Sequence, residues 1–308
     1  MHPRIGFIGL GEMGLEMAIN ISKAGFDLVV FDWIKEHIEK AVSYGASPAN
    51  SPKDLALISD WIILCLPHTE AVKDVIFGKS GIIEGIHDRT IIIDCGTTHP
   101  QVTREIAAFL RGKDVPFLDA PVSGMKARAR EGTLTVMVGG EEPVLAKVNK
   151  VLAAFSNKII YMGSPGNGQL TKLVNQLLFN INTAAIAEIL PMAVKMGLDP
   201  ERVCEVARTG TGASFALEFF SPLILKDDFQ PGYHMQNAYK DMVSALEISA
   251  HERIPLPVTS AATLTYQLAL AQGLKEENKG AMIKVWENVL GIKVRKKGDS
   301  GNEEKADN

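Results

Sequence analysis

The chain has 308 residues, 46% of them hydrophobic and 22% charged, with a formal net charge of −4. That length supports two domains and a sizeable core. The mild negative charge argues against a nucleic-acid partner, and no apolar stretch reads as the eighteen or so residues that span a bilayer.

In chain order, Arg4 to Leu10 is a short apolar run, the pattern of a buried strand. Gly9-Leu10-Gly11-Glu12-Met13-Gly14 follows, Leu15 to Ala24 reads as helix, and Phe26 to Phe31 reads as a second strand closed by Asp32. The GxGxxG spacing in the order strand, turn, helix, strand marks a dinucleotide site. Gly9 permits the tight turn, Gly11 lets a pyrophosphate approach the backbone, and Gly14 lets helix and strand pack closely. The helix N-terminus supplies free N–H groups and a positive dipole end. Asp32, about twenty residues on, can accept both ribose hydroxyls. A carboxylate there repels a 2′-phosphate, so NAD is expected, while Lys35 and Lys40 leave NADP open.

Trp61 to Leu66, Thr90 to Asp94 and Phe117 to Leu118 read as further strands, with Leu134 to Val138 and Lys158 to Tyr161 extending the sheet. Helical segments between them imply a parallel sheet covered by helices. Leu66-Pro67 and Thr97 follow strands, at the sheet end where such folds bind ligands. After Gly163 the strand signals stop. The pattern is then helical almost to Val289, broken at Gly197 to Pro200, at Pro222 and at Pro231-Gly232. The expected architecture is an α/β Rossmann-type domain over 1–164, joined by a long helix to an all-helical domain over 165–294, with a disordered polar tail over 295–308. Cys65, Cys95 and Cys204 are scattered and read as buried thiols of a cytoplasmic protein, not as a disulfide or zinc framework. The first strand is read to begin by residue 4, so no signal peptide is expected.

The long helix opens with Gly166-Asn-Gly-Gln-Leu-Thr-Lys172. Helix spacing puts Gly168, Lys172 and Asn175 on one face. Gly168 is expected to leave a gap there for another chain or a flat ring, with Lys172 as proton donor and Asn175 as an orienting amide. Most lysines are simply solvated. The nucleotide motif is what turns the reading of Lys172 toward chemistry.

These motifs together resemble the 3-hydroxyisobutyrate dehydrogenase family, the β-hydroxyacid dehydrogenases, from Arg4 to about Gly291. Gly6 to Gly14 with Met13, Met17-Ala18 and Asn20 is similar to the family's cofactor motif. Asp119-Ala-Pro-Val-Ser-Gly124, with Gly132-Thr-Leu and Met137-Val-Gly-Gly140, is similar to its substrate motif. Gly166-Asn-Gly168, Lys172 and Asn175 match its catalytic motif, and Lys240-Asp241 matches a pair near the cofactor. The resemblance implies reversible hydride transfer between a nicotinamide and a small 3-hydroxy acid or its semialdehyde, of the 3-hydroxyisobutyrate, tartronate or succinic type. Lys172 would be the acid/base, a role that suits a lysine where burial and a cationic ring favour its neutral form. Asn175 would hold it in register, and Ser123 with the Gly124 N–H would grip the substrate carboxylate. Leu66, Pro67 and Thr97 would line the cofactor, Lys240 would reach cofactor or substrate, and Asp241 would pair inside the site.

Two positions depart from the family pattern. Met125 stands where a second glycine is usual, and Gly96 where a serine is usual before Thr97. Lys126-Ala-Arg-Ala-Arg130 is also more basic than the family norm, and Arg128 is read as adding a cation to a pocket reshaped by Met125. These departures weaken assignment to 3-hydroxyisobutyrate and favour another small polar acid. An imine reductase and a non-catalytic cofactor-binding protein of the same fold are the alternatives, and Lys172 speaks against both. The apolar flanks Leu177-Leu178-Phe179 and Ala184-Ala185-Ile186, with the family's habit, imply a homodimer or homotetramer.

Overall fold

A computed structural model describes residues 3–230 and 232–296. The chain divides into two compact units, Met1–Lys172 and the part from Leu173 onward. The division falls inside a helix, two turns beyond the expected boundary at 164/165, because the start of that helix packs on the sheet.

The first unit carries strands β1 (Ile5–Ile8), β2 (Leu28–Phe31), β3 (Ser47–Pro48), β4 (Trp61–Leu64), β5 (Ile91–Asp94), β6 (Phe117–Asp119), β7 (Val122–Ser123), β8 (Leu134–Gly139) and β9 (Ser156–Gly163). Their order is β3-β2-β1-β4-β5-β6-β8-β7, with β9 paired to β8. β3 through β6 run parallel, β6 and β7 pair antiparallel to β8, and β9 is parallel to β8. The chain therefore reverses its direction of growth between β1 and β4, which opens a crevice at the carboxyl ends of those strands.

Helices α1 (Gly14–Lys23), α2 (Lys35–Val42), α3 (Pro52–Ile58), α4 (Thr69–Phe77), α5 (Pro100–Arg111), α6 (Met125–Glu131) and α7 (Glu142–Leu152) cover the sheet. Strand alternation sorts the core into two layers. Ile5, Phe7, Leu28, Val30, Ile63, Ile91 and Ile93 pack with α1, α6 and α7, while Ile8, Val29, Ile62, Leu64 and Ile92 pack with α3, α4 and α5. Both faces are buried, so these strands read as unbroken apolar runs.

Helix α8 (Asn167–Lys195) leads into α9 (Pro200–Thr209), α10 (Phe215–Leu225), α11 (Met235–Glu252), α12 (Pro257–Ala271) and α13 (Ile283–Leu290). The break before α9 has clear local causes. Gly197 takes φ +85°, and the Asp199 carboxylate caps the Glu201 and Arg202 N–H groups. Pro222, expected to break the pattern, lies inside α10. An interior proline costs about 3 kcal/mol. Ala216, Leu217, Phe220, Ile224 and Leu225 are all buried by α10. At roughly 1.5–3 kcal/mol for each large apolar side chain, that burial outweighs the lost hydrogen bond.

Three further expectations are corrected. By length and apolar composition, α8 does meet the requirements for crossing a bilayer. Its apolar residues serve a different purpose, because Ala184, Ile186, Ala187 and Leu190 lie in the core of the helical unit. For the same reason, of the flanks read as partner-facing, Ala184 and Ile186 are buried and Leu177 and Phe179 pack inward, while Leu178 and Ala185 are exposed. Arg295, expected to begin a disordered tail, is docked: its guanidinium lies 2.6 Å from Glu287 and 2.5 Å from Asp227. Glu287 is buried, and a buried carboxylate requires such a cation. Residues 297–308 of the expected tail lie outside the described residues.

Candidate active site

The turn from β1 into α1 is shaped by its glycines. Gly9 has φ +97°, and a Cβ there would strike the Cys65 carbonyl. A Cβ on Gly14 would strike the Gly9 carbonyl, so helix and turn touch backbone to backbone. A Cβ on Gly11 would meet nothing within 4 Å. That free approach at the start of a helix is what a pyrophosphate needs. Met13 stands at the N-cap position of α1, and no side chain caps the helix there.

Asp32 follows β2 and reaches back to this turn. It accepts the Leu10 N–H at 2.6 Å through Oδ2 and the Ile34 N–H at 2.8 Å through Oδ1. A carboxylate has about four acceptor sites, so two fixed donors orient it without exhausting it for ribose hydroxyls. Lys35, the nearer of the lysines that left NADP open, pairs with Glu39 at 3.6 Å. The residues present fit a nicotinamide dinucleotide.

Contacts lead from this turn along the strand ends. A Cβ on Gly9 would lie 3.0 Å from the Leu66 side chain, and one on Gly96 would lie 2.9 Å from the Leu66 carbonyl. That crowding accounts for glycine at position 96. Pro67 is exposed and Thr97 is half-buried. Thr97 sits between two pinned neighbours. The Gly96 N–H donates to Asp94 Oδ1 at 2.9 Å, and the Thr98 hydroxyl donates to Asp94 Oδ2 at 2.6 Å.

Gln169, in the first turn of α8, grips the same loop. Its Nε2 donates to the Gly96 carbonyl at 2.9 Å, and its Oε1 accepts the Thr98 N–H at 3.1 Å. The backbone N–H of Gln169 donates to Asp119 Oδ2 at 2.9 Å, and that of Gly166 donates to Asp119 Oδ1 at 2.7 Å. Asp119 thus caps α8 from β6, satisfying N–H groups that a helix start leaves open. Asp119 begins the motif read as substrate-binding, but its carboxylate is fully buried and serves the helix.

Gly168 is corrected by the same geometry. The gap it leaves is filled by the sheet, since a Cβ there would lie 2.8 Å from both the Asp119 carbonyl and carboxylate. It admits the strand end and not a ligand ring. Lys172 lies one turn further along that face and is 9% exposed.

Gln169, Thr98 and Asp94 were not singled out in the sequence. The available signal was two aspartates, Asp94 and Asp119, each ending an apolar run. They stand side by side in the sheet. Burial pushes the Asp94 carboxyl up to about 6, against hydrogen bonds from Thr98 and Gly96 that lower it. Burial likewise raises Asp119, opposed by the N–H groups that it caps. The folded value of Asp94 lies above its unfolded value near 3.8, so its contribution to stability is fully present below pH 4 and is lost as pH rises through about 6. Asp94→Asn, which mimics the protonated acid, is expected to gain stability on the native protein between pH 4 and 7, by about 3 kcal/mol at most. Urea unfolding across that range checks it; a difference independent of pH would refute the assignment.

Ser123 ends β7 opposite Thr135 of β8, and its hydroxyl makes no hydrogen bond among the described residues. Gly124 follows at φ +148° and Met125 at φ +61°. The departure Met125 therefore keeps a glycine-like backbone. Asn20, read as part of the cofactor motif, donates through Nδ2 to the Ala129 carbonyl at 2.8 Å and ties α1 to α6.

Asn175, Lys240 and Asp241 belong to the helical unit. Asn175 is exposed, with its amide 3.4 Å from Gln176 Oε1. Asp241 points inward, accepting from Gln176 at 3.1 Å and from the Tyr233 hydroxyl at 3.5 Å. Burial, then the nearby Asp241 charge, pushes Tyr233 strongly upward. Lys240, beside it on α11, is half-buried. Deeper still, Lys279 is wholly buried, donating to Asn180 Oδ1 at 2.7 Å with its ammonium 3.4 Å from the Phe179 ring centre.

A glycine cradle at a helix start, an acid pinned to it and loops gathered at the switch point of a parallel sheet define a dinucleotide-binding protein of the Rossmann class. Residues 4–163 match the NAD-binding domain of 6-phosphogluconate dehydrogenase, and residues 166–286 match the NAD-binding family of NADP-dependent 3-hydroxyisobutyrate dehydrogenase. The chain is 37% identical to 2-(hydroxymethyl)glutarate dehydrogenase of Eubacterium barkeri, over 94% of this chain and 97% of that one. It is 33% identical to 2-hydroxy-3-oxopropionate reductase of Escherichia coli, over 94% and 99%. The solved structure of Mycobacterium tuberculosis 3-hydroxyisobutyrate dehydrogenase with L-serine superposes with a TM-score of 0.84, at 29% identity over 92% of this chain and 99% of that one. The chain belongs to the 3-hydroxyisobutyrate dehydrogenase family and is an NAD(P)-dependent oxidoreductase acting on CH–OH groups.

Proposed function

We propose that this enzyme interconverts a small 3-hydroxy acid and its semialdehyde, with Lys172 as acid/base. The observation that carries this reading is Lys172 itself, a buried lysine on a helix start held against the cofactor loop by Gln169 and Asp119. Gly9, Gly11, Met13 and Gly14 would hold the pyrophosphate, Asp32 the adenosine ribose, and Leu66, Pro67 and Thr97 the nicotinamide half. Lys240 is assigned to cofactor or substrate. Asp241 acts by setting α11 through Gln176 and Tyr233.

The bound nicotinamide supplies the hydride acceptor or donor. The proteinaceous part of the chemistry is proton transfer and grip. Ser123 Oγ–H and the Gly124 N–H donate to the substrate carboxylate. In the reducing direction Lys172 gives its Nζ proton to the oxygen that becomes the alcohol, and stabilises charge on that oxygen as it develops. In the oxidising direction neutral Lys172 takes that proton back. Asn175, one turn along, orients the lysine or the substrate hydroxyl.

NAD is assigned over NADP because the Asp32 carboxyl group stands where a 2′-phosphate would be repelled and Lys35 pairs with Glu39. Relatives named for 2-(hydroxymethyl)glutarate and 2-hydroxy-3-oxopropionate support a hydroxy acid or semialdehyde as substrate. Val174, Leu178, Ile189 and Met192 are exposed on α8, and helix spacing gathers them in one stripe. This stripe supports a homodimer or homotetramer. Free cysteines support a cytoplasmic location.

The test is turnover with NAD(H) and with NADP(H) over a panel of 3-hydroxy acids and semialdehydes. NAD(H)-dependent turnover is expected. Turnover of cyclic imines in place of hydroxy acids would select the imine reductase alternative, and cofactor binding without any turnover the non-catalytic one.

A further inference from the structure

Helix α6 carries three cations in different circumstances. Arg130 is paired, its guanidinium 3.2 Å from Glu16 of α1. Lys126 lies one turn before Arg130, on the same side by helix spacing. Arg128 is about 200° round the helix from Lys126. It is exposed and makes no ion pair among the described residues. Its stem runs beside Gly124, because Arg128 Cβ and Cδ lie 2.9 and 3.2 Å from where a Cβ on Gly124 would stand. The stem of the arginine thus neighbours the residue whose N–H is assigned to the substrate carboxylate.

The turn before the helix has an unusual backbone. Gly124 and Met125 both have positive φ. For methionine that conformation costs on the order of 1 kcal/mol, a strain that persists only where the surroundings impose it. The turn is held from behind by Asn20 to the Ala129 carbonyl and by Glu16 to Arg130. Those contacts fix one side of α6 to α1 and leave Arg128 on the other.

We infer that Arg128 is a specificity-determining residue that binds a second carboxylate, at the far end of the substrate. The inference rests on the proposed function and names its substrate class: hydroxy diacids and carboxyl-bearing semialdehydes. Ser123 and Gly124 take the first carboxylate, and the guanidinium fork takes the second. A single fork matches a carboxylate. A phosphoryl dianion would call for further cations, but Arg130 is already spent on Glu16 and Lys126 sits on the other side.

The experiment compares matched monoacid and diacid ligands on the native enzyme, Arg128→Gln and Arg128→Lys. With 3-hydroxy acids of equal length, Arg128→Gln is expected to raise KM for the diacid about tenfold to hundredfold. Its kcat, and both constants for the monoacid, should move less than threefold. Arg128→Lys should recover part of the loss. The diacid preference of the native enzyme should shrink as salt is raised, because the cation is exposed. Equal losses for both substrates would make Arg128 structural, and no loss would remove it from the site. A stronger Arg128-dependent preference for an O-phosphorylated hydroxy acid would overturn the carboxylate assignment.

Equilibrium binding of glutarate against pentanoate, by calorimetry with NAD present, separates this inference from the reading beneath it. Tighter glutarate binding that Arg128→Gln abolishes supports the second-carboxylate site even if no hydroxy acid turns over. No glutarate preference, or one that survives in the variant, overturns it even if turnover is brisk.

Discussion

Lys172→Ala is expected to lower kcat by about 10²–10⁴ in both directions, the range that a positioned acid/base supplies. Cofactor affinity should change little, because the glycine turn and Asp32 are built from other elements. The informative companion is Lys172→Arg. Arginine keeps a positive charge but does not release its proton at accessible pH. If Lys172 moves a proton, Arg should be nearly as inactive as Ala. If it only stabilises charge, Arg should recover much of the rate. Stopped-flow hydride transfer, read with NAD titration by fluorescence, separates these outcomes. Full activity in Lys172→Ala would remove the lysine from the chemistry.

Much of the nucleotide half was legible because its determinants are local. The glycines from Gly9 to Gly14 and the acid at Asp32 act within about thirty residues, and each has a stereochemical requirement that a sequence displays. The apolar runs of the parallel strands were legible for a similar reason, since burial on both faces leaves no alternation to misread. β3 and β7 were not foreseen. Each is two residues long, too short to carry a period. Their pairing comes from neighbouring strands that were already in place.

The misread residues share a cause. Gly168 was taken as an opening for another chain or a flat ring, and the strand end bearing Asp119, 49 residues earlier, fills it in place of a ring. Asp119 was read only as the start of the substrate motif, and its use, capping α8, was not foreseen. Pro222 was read as a break, yet burial along α10 carries the helix through it. In each case a long-range partner overrode a local preference, and a single sequence does not say which partner will arrive. Glycine and proline are ambiguous in this way. Both mark a special backbone without saying what the backbone is for.

Gln169→Leu is the second large effect expected. The change is close in volume but removes an acceptor from the Thr98 N–H and a donor from the Gly96 carbonyl, both in a buried loop. Each orphaned group costs about 1–3 kcal/mol, so the unit should lose stability measurably. The catalytic consequence is separable. Gln169 joins the loop bearing Thr97 to the first turn of the helix bearing Lys172, and a shift of about 1 Å between reacting groups can cost a hundredfold. We expect kcat to fall about ten- to hundredfold and KM for the cofactor to rise, at a temperature where the variant remains fully folded. Gln169→Glu keeps the acceptor for Thr98 but sets a carboxylate against the Gly96 carbonyl, so it should recover only part of kcat. A purely structural glutamine would behave differently. Activity would then track the folded fraction, kcat per folded molecule would be unchanged, and the loop and the lysine would have to be positioned independently of one another.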